Sequence, residues 1–161
     1  MNIKYRKLLP HESKLYRAIR LESLKQFPDS FEANYLEALK TKKLRMEVDI
    51  ENQTAEKFVF GAFTNQQLIG ICAFVKHENH SGNIYQMYIK KDFQGQNIGS
   101  GLIQSIIHEA YKKFNVTEVY LEVASKCSPA YHLYKKNGFK EINNEDSKSG
   151  YSEVIVMRYI L

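Results

Sequence analysis

Between Tyr88 and Leu102 the chain passes from β-branched and aromatic residues to an apolar stripe at helical spacing. The join is Gln94-Gly95-Gln96-Asn97-Ile98-Gly99-Ser100-Gly101. Small residues there leave backbone N–H groups uncovered, and a helix N-terminus stands directly behind them. Such a turn suits an anion, each contact with the helix dipole being worth about 0.3–1 kcal/mol when exposed. A strand that feeds a helix in mid-chain also demands a sheet with helices packed on it. The loop lacks the Lys-Ser/Thr ending of a P-loop, and its strand is not the first of the chain, as a dinucleotide fingerprint usually requires. Nucleotide hydrolysis and nicotinamide binding both lose ground.

The rest of the pattern agrees with a mixed α/β domain. Asn2 to Leu9 alternates as a half-buried strand, and Pro10 opens an amphipathic helix with Leu15, Ala18, Ile19, Leu21, Leu24 and Phe27 on its stripe. A second helix is predicted from an N-cap at Asp29 or Ser30 to near Lys43, and the polar stretch to Glu56 is predicted as loop. Lys57–Phe63 and Leu68–Val75 form a hairpin, and Asn83–Ile89, Val116–Val123, Phe139–Ile142 and Glu153–Ile160 are further strands. Helices are predicted at Gly99–Phe114 and Pro129–Lys136. No repeat or linker interrupts this order, so residues 1–161 are expected to form a single domain.

Composition narrows the function. Lys and Arg outnumber Asp and Glu by 23 to 18, a net charge of +5, so an anionic partner is plausible. The basic residues are scattered in pairs such as Lys90-Lys91 and Lys135-Lys136, without the block that marks nucleic-acid patches, so no nucleic-acid partner is expected. Cys72 and Cys127 are too few for a disulfide framework, no apolar run has signal or membrane-spanning length, and a cytoplasmic setting with no membrane partner is expected. His77 and His80 make an HxxH pair without carboxylate or Cys support, so no metal is expected.

Two segments carry a resemblance. Tyr88-Ile89-Lys90-Lys91-Asp92-Phe93-Gln94-Gly95-Gln96-Asn97-Ile98-Gly99-Ser100-Gly101 resembles the strand and Arg/Gln-Gly-x-Gly-x-Gly loop of the GNAT superfamily of N-acetyltransferases. Asn97 replaces the central glycine, and Asn tolerates left-handed backbone better than other side chains. Leu121 to Phe139, with Ala130 and Leu133-Tyr134-Lys135-Lys136-Asn137-Gly138-Phe139, is similar to the second signature of that superfamily in order and spacing. The resemblance implies a mostly antiparallel sheet of about seven strands with four helices. It also implies acetyl-CoA as cosubstrate, with its pyrophosphate on the amides of Gln94, Gly95, Gln96, Asn97, Ile98, Gly99 and Ser100 and its pantetheine arm along Met87, Tyr88 and Ile89.

Acetyl transfer from a thioester to an amine needs a neutral amine, a polarised carbonyl and a proton for the departing thiolate. By resemblance Tyr134 supplies that proton; a phenol of pKa about 10 stays protonated at neutral pH. A lysine-like amine is neutral in only about one molecule per 2,500 at pH 7, so a base should assist. Glu122, twelve residues before Tyr134 as in the ribosomal-protein N-terminal acetyltransferases, is the candidate, against the plain alternative of a solvent-facing strand residue. Cys127 stands where the family has an Asn that contacts the cofactor, and a pocket-wall role suits it better than an acetyl-cysteine intermediate.

The segment Arg20 to Lys25 with Phe27 to Phe31 resembles the acceptor-side helix of a bacterial subgroup, which makes Glu22, Phe27 and Phe31 candidate substrate residues; helix packing explains both aromatics equally well. The expected activity is direct transfer of acetyl to a primary amine of a small molecule or peptide in a ternary complex. The alternative is a non-catalytic acyl-CoA-binding sensor or interaction module, suggested by the Asn97 and Cys127 departures. The final strand could pair across a homodimer.

Overall fold

In a computed structural model of the protein, residues 2–26, 34–124, 126, 128–142 and 154–161 are described. The elements in order are β1 (Lys4–Lys7), α1 (Ser13–Gln26), α2 (Tyr35–Lys40), α3 (Arg45–Asn52), β2 (Lys57–Thr64), β3 (Gln67–His77), β4 (Ser81–Ile89), α4 (Ile98–Phe114), β5 (Glu118–Val123), α5 (Pro129–Lys136), β6 (Lys140–Glu141) and β7 (Ile155–Ile160). One seven-stranded sheet runs β1-β2-β3-β4-β5-β7-β6. Every neighbouring pair is antiparallel except β4 and β5.

Side-chain alternation divides the core into two layers. On one face Ile98, Leu102, Ile103, Ile106, Ile107 and Ala110 of α4 pack with Phe58, Phe74, Leu121, Tyr131 and Tyr134. On the other, Tyr16 and Ile19 of α1 and Ile50 of α3 cover Val59, Ile71 and Tyr88. β2 and β3 are buried along almost their whole length because both faces are covered. β5 instead alternates, with Leu121 and Val123 buried and Glu122 exposed. Among the described residues, no helix on the α1 side covers β5 at Glu122.

The hairpin between β2 and β3 turns on Asn65 and Gln66, both with positive φ (49° and 66°), the two-residue geometry whose twist matches the strands. The helical region before β2 departs from expectation. α2 starts after Asn34, whose Oδ1 accepts from the N–H of Leu36 at 2.8 Å and of Glu37 at 3.3 Å, so Asn34 is the cap. Asp29, Ser30 and Phe31 lie outside the described residues, as do Phe27 and Cys127.

The stretch predicted as loop holds α3, which makes five α-helices among the described residues where four were expected. Its apolar stripe is short, and long-range charge supports it. Glu47 accepts from the Leu44 N–H at 2.8 Å at the helix start and receives Arg17 of α1 at 2.7 Å. Ser13 of α1 donates to Glu51 at 2.7 Å. Those partners lie some thirty or more residues away, beyond the reach of local periodicity. Among the described residues, no helix is long and apolar enough to cross a membrane.

Candidate active site

The parallel pair is where the sheet splits. β4 and β5 are joined only from Ser81–Asn83 to Glu118–Tyr120. Beyond that, β4 remains bonded to β3 as far as Ile89 opposite Gly70, and β5 remains bonded to β7 as far as Val123 opposite Ile155. Neither strand frays; they part from each other. In sheets with a parallel pair, the crevice past the carboxyl ends is where ligands gather. The small cavity of about 10 Å³ beside Leu8, Met46, Ile50 and Val59 lies away from this split and has room for no more than one water.

The chain leaves β4 into the candidate anion loop. A single 3₁₀ turn, Lys91–Phe93, follows, and the Gln94 side chain folds back to donate to the Ile89 carbonyl at 2.8 Å, so it pins the loop to the strand end. Gly95 has φ +79° and open space where a Cβ would stand. Asn97 sits in the left-handed region at φ 62° and ψ 15°, the conformation its residue type tolerates. Gly101 N–H bonds the Asn97 carbonyl at 3.2 Å, so the N–H groups of Ile98, Gly99 and Ser100 precede the first intrahelical bond. The Ile98 side chain is buried, which leaves only its main chain for a ligand.

α5 is locked to this helix start. Gly99 is small because a Cβ there would stand 2.8 Å from Leu133 Cδ2. Lys136 Nζ donates to Asn97 Oδ1 at 3.0 Å, Asn137 Nδ2 to Ser100 Oγ at 3.0 Å, and Gln104 Nε2 to Asn137 Oδ1 at 3.1 Å. Sequence reading assigns Lys136, Asn137 and Gln104 no role in joining the two helices; the Asn-Gly pair at a helix end was the available signal. That end is a Schellman cap: Phe139 N–H reaches the Tyr134 carbonyl at 3.0 Å, Gly138 N–H reaches Lys135 at 3.1 Å, and Gly138 takes φ +98°.

Tyr134 is thereby held against Phe139, ring centroids 5.8 Å apart. It is buried, and no described residue accepts a hydrogen bond from its hydroxyl. Burial and, secondarily, the neighbouring Cys72 thiol push its phenol above the ordinary value, so it stays protonated well past neutral pH.

Glu122 lies on β5 two residues past the last rung shared with β4. It faces the α1 side, whereas Leu121 and Val123 share the other layer with Tyr134. The two candidate groups are thus on opposite faces of the split and make no hydrogen bond to each other. Glu22 stands on the α1 side as well. It accepts from the Tyr88 hydroxyl at 2.7 Å and pairs with Lys90 at 3.4 Å, which ties α1 to the end of β4. Burial, then the Glu22 carboxylate, raises the Tyr88 phenol. Met87 and Ile89, both half-buried, pack on the α4 layer, and their backbone lies along the split. His77 and His80 are exposed at the β3–β4 turn, and no cluster of three or more His, Cys, Asp or Glu groups occurs among the described residues.

Residues 17–139 match the model of the acetyltransferase (GNAT) family. An N-alpha-acetyltransferase of Sulfurisphaera tokodaii is 38% identical over 61 residues, which span 38% of this chain and 36% of that protein. PaiA N-acetyltransferase from Thermoplasma acidophilum, solved in complex with coenzyme A, has the same fold, with a TM-score of 0.80 at 23% identity over 100% of both chains. The ribosomal-protein-S18-alanine N-acetyltransferase of Escherichia coli also shares it, with a TM-score of 0.69 and 18% identity over 99% of this chain and 94% of that one.

Proposed function

This chain belongs to the acetyltransferase (GNAT) family, and on that footing we propose that it transfers acetyl from acetyl-CoA to a primary amine by direct attack in a ternary complex. The observation that carries the proposal is the split between β4 and β5 with the open start of α4 at its mouth and Tyr134 on one of its faces. The single sheet through all seven described strands supports a single domain.

The N–H groups from Gly95 to Ser100 receive the diphosphate, helped by the dipole of a helix of 17 residues. Backbone groups of Met87, Tyr88 and Ile89 on the side turned from β3 hold the pantetheine arm, which aims the thioester into the split. The amine enters from the α1 face, where β5 is uncovered and Glu22 and Glu122 supply negative charge. Glu122 takes one proton from the ammonium, directly or through water, the free amine attacks the carbonyl carbon, and the nitrogen gives up its second proton to water as the tetrahedral intermediate collapses. As the C–S bond breaks, the Tyr134 phenol gives its proton to sulfur and is reprotonated from solvent. A buried phenolate is costly, so this transfer proceeds only as negative charge develops on the thiolate.

Phe27, Phe31 and Cys127 complete the candidate set as acceptor-wall and cofactor-side residues. Among the described residues β6 pairs β7 at Arg158 and Met157, with the Ile142 N–H adding a bond to the Val156 carbonyl at 3.0 Å, and a homodimer formed through this final strand belongs to the same reading.

Calorimetry with coenzyme A and acetyl-CoA, followed by thiol-release assays on peptides, amino acids, polyamines and aminoglycosides, tests the assignment. The named activity of the Sulfurisphaera relative puts peptide N-termini first in that panel. Binding with turnover is expected. Binding without turnover on any amine would leave an acyl-CoA-binding module, and no binding would remove the assignment altogether.

A further inference from the structure

β4 does not run evenly to its end. Ala73 pairs with Tyr85 and Ile71 with Tyr88, so Cys72 alone faces both Gln86 and Met87. This is a bulge, and Gln86 occupies its left-handed position at φ 57°, where glycine is the usual residue. A long side chain in that conformation is strained and persists only where its surroundings enforce it. The enforcing contact is visible: Tyr16 of α1, 1% exposed, donates its hydroxyl to Gln86 Oε1 at 2.6 Å. On the opposite strand the Cys72 thiol reaches the Tyr85 carbonyl at 3.9 Å.

The extra residue reverses the facing of everything after it. Ile84 packs in the α4 layer, and simple alternation would send residues 86 and 88 there too. Instead Met87 and Ile89 join that layer, while Tyr88 turns to the α1 side and meets Glu22. The bulge therefore decides which groups of β4 border the split and which hold the acceptor-side helix.

We propose that Tyr16 is a positioning residue of the transfer reaction: its hydrogen bond to Gln86 locks the β4 bulge and so sets the segment from Met87 to Ile89 at the edge of the split. The proposal rests on the acetyl-transfer reading for its kinetic consequence but not for its structural one. Tyr16 touches neither acetyl donor nor acceptor; it acts through Gln86.

The test joins hydrogen exchange to kinetics. In Tyr16→Phe, amide exchange over residues 84–89, read by mass spectrometry without substrate, rises at least about tenfold while that of the β2–β3 hairpin stays unchanged. Turnover at saturating acetyl-CoA falls about 10–100-fold, the scale of an ångström-sized displacement at a reacting centre. Gln86→Leu breaks the same bond without touching α1 and reproduces both effects. Gln86→Gly accepts positive φ without an anchor, so adding it to Tyr16→Phe restores most of the lost turnover and exchange protection.

Unchanged exchange over 84–89 in both single variants overturns the proposal, as does a Tyr16→Phe loss equally large with Gly at 86. Should the wild-type chain bind coenzyme A and turn over no amine, the transfer reading fails, and the exchange data alone still decide the latch.

Discussion

On the α4–α5 side of the split the groups near the candidate site are held by packing, main-chain geometry and side-chain hydrogen bonds, whereas on the α1 side ion pairs take the larger share. Gly99 fits under Leu133, Gly101 under Tyr5, and Phe139 against Tyr134. Across the sheet, Glu22 pairs with Lys90 and Tyr88, Arg17 with Glu47, and Arg6 with Glu12. A diphosphate-bearing donor, common to a whole family, can be gripped by amides whatever side chains surround them. An acceptor must be told apart from other amines, and that takes side chains. The first wall is constrained by what cannot be added, the second by what can be exchanged.

The hardest blow to this contrast would be a Tyr134→Phe variant with normal turnover. A loss of about 10²–10⁴ in kcat with coenzyme A affinity nearly unchanged is expected, measured by thiol release and calorimetry. The packed wall should answer to added volume: Gly101→Ala places a Cβ into the Tyr5 ring, and a loss of about 1–3 kcal/mol in urea unfolding is expected.

On the charged wall, Glu12 accepts both guanidinium nitrogens of Arg6 at 2.8 Å and the Leu9 N–H at 2.8 Å. The Arg6 hydrogen bonds, foremost, hold its carboxyl below the usual range. Its folded-state pKa lies below the unfolded one, so the stabilisation is complete above the ordinary carboxylate range and fades as pH falls through the depressed value. Glu12→Gln should cost about 1–2 kcal/mol at neutral pH, with the difference from wild type vanishing in acid, as urea unfolding at several pH values will read.

Glu22→Gln sharpens the comparison from the acceptor side. It should raise KM for a cationic acceptor about fivefold, an exposed ion pair's worth, and leave coenzyme A binding alone. The smallest expected effect is none. Because burial lifts the Tyr134 phenol above its ordinary value, kcat should show no falling limb from this group up to about pH 9.5. A limb abolished by Tyr134→Phe would contradict the buried placement.

The packed wall was also the more legible one. Gly95, Asn97, Gly99 and the Asn137-Gly138-Phe139 ending announce a turn, a helix start and a helix end within a few residues, and the structure has each of them. The charged wall was read less well. α3 escaped because Met46 and Ile50 alone make a thin stripe among charges, and its support from Arg17 and Ser13 comes from another helix. Lys136 and Asn137 gave no hint that they bridge two helices, since their partners Asn97 and Ser100 lie far back in the chain.

By itself, then, the sequence determined the mixed α/β class, the order of most elements, the exposed amides before α4 and the helical cap behind Tyr134. These are local matters of dihedral preference, periodicity and small side chains, settled within one or two turns of chain. Only the tertiary structure decided where β4 and β5 part, that Glu122 and Tyr134 take opposite faces, and that Gln86 bulges under Tyr16 to send Tyr88 toward Glu22. Strand register and the pairing of Tyr16 with Gln86, 70 positions apart, depend on which surfaces meet when the layers close. No neighbour in sequence carries that information.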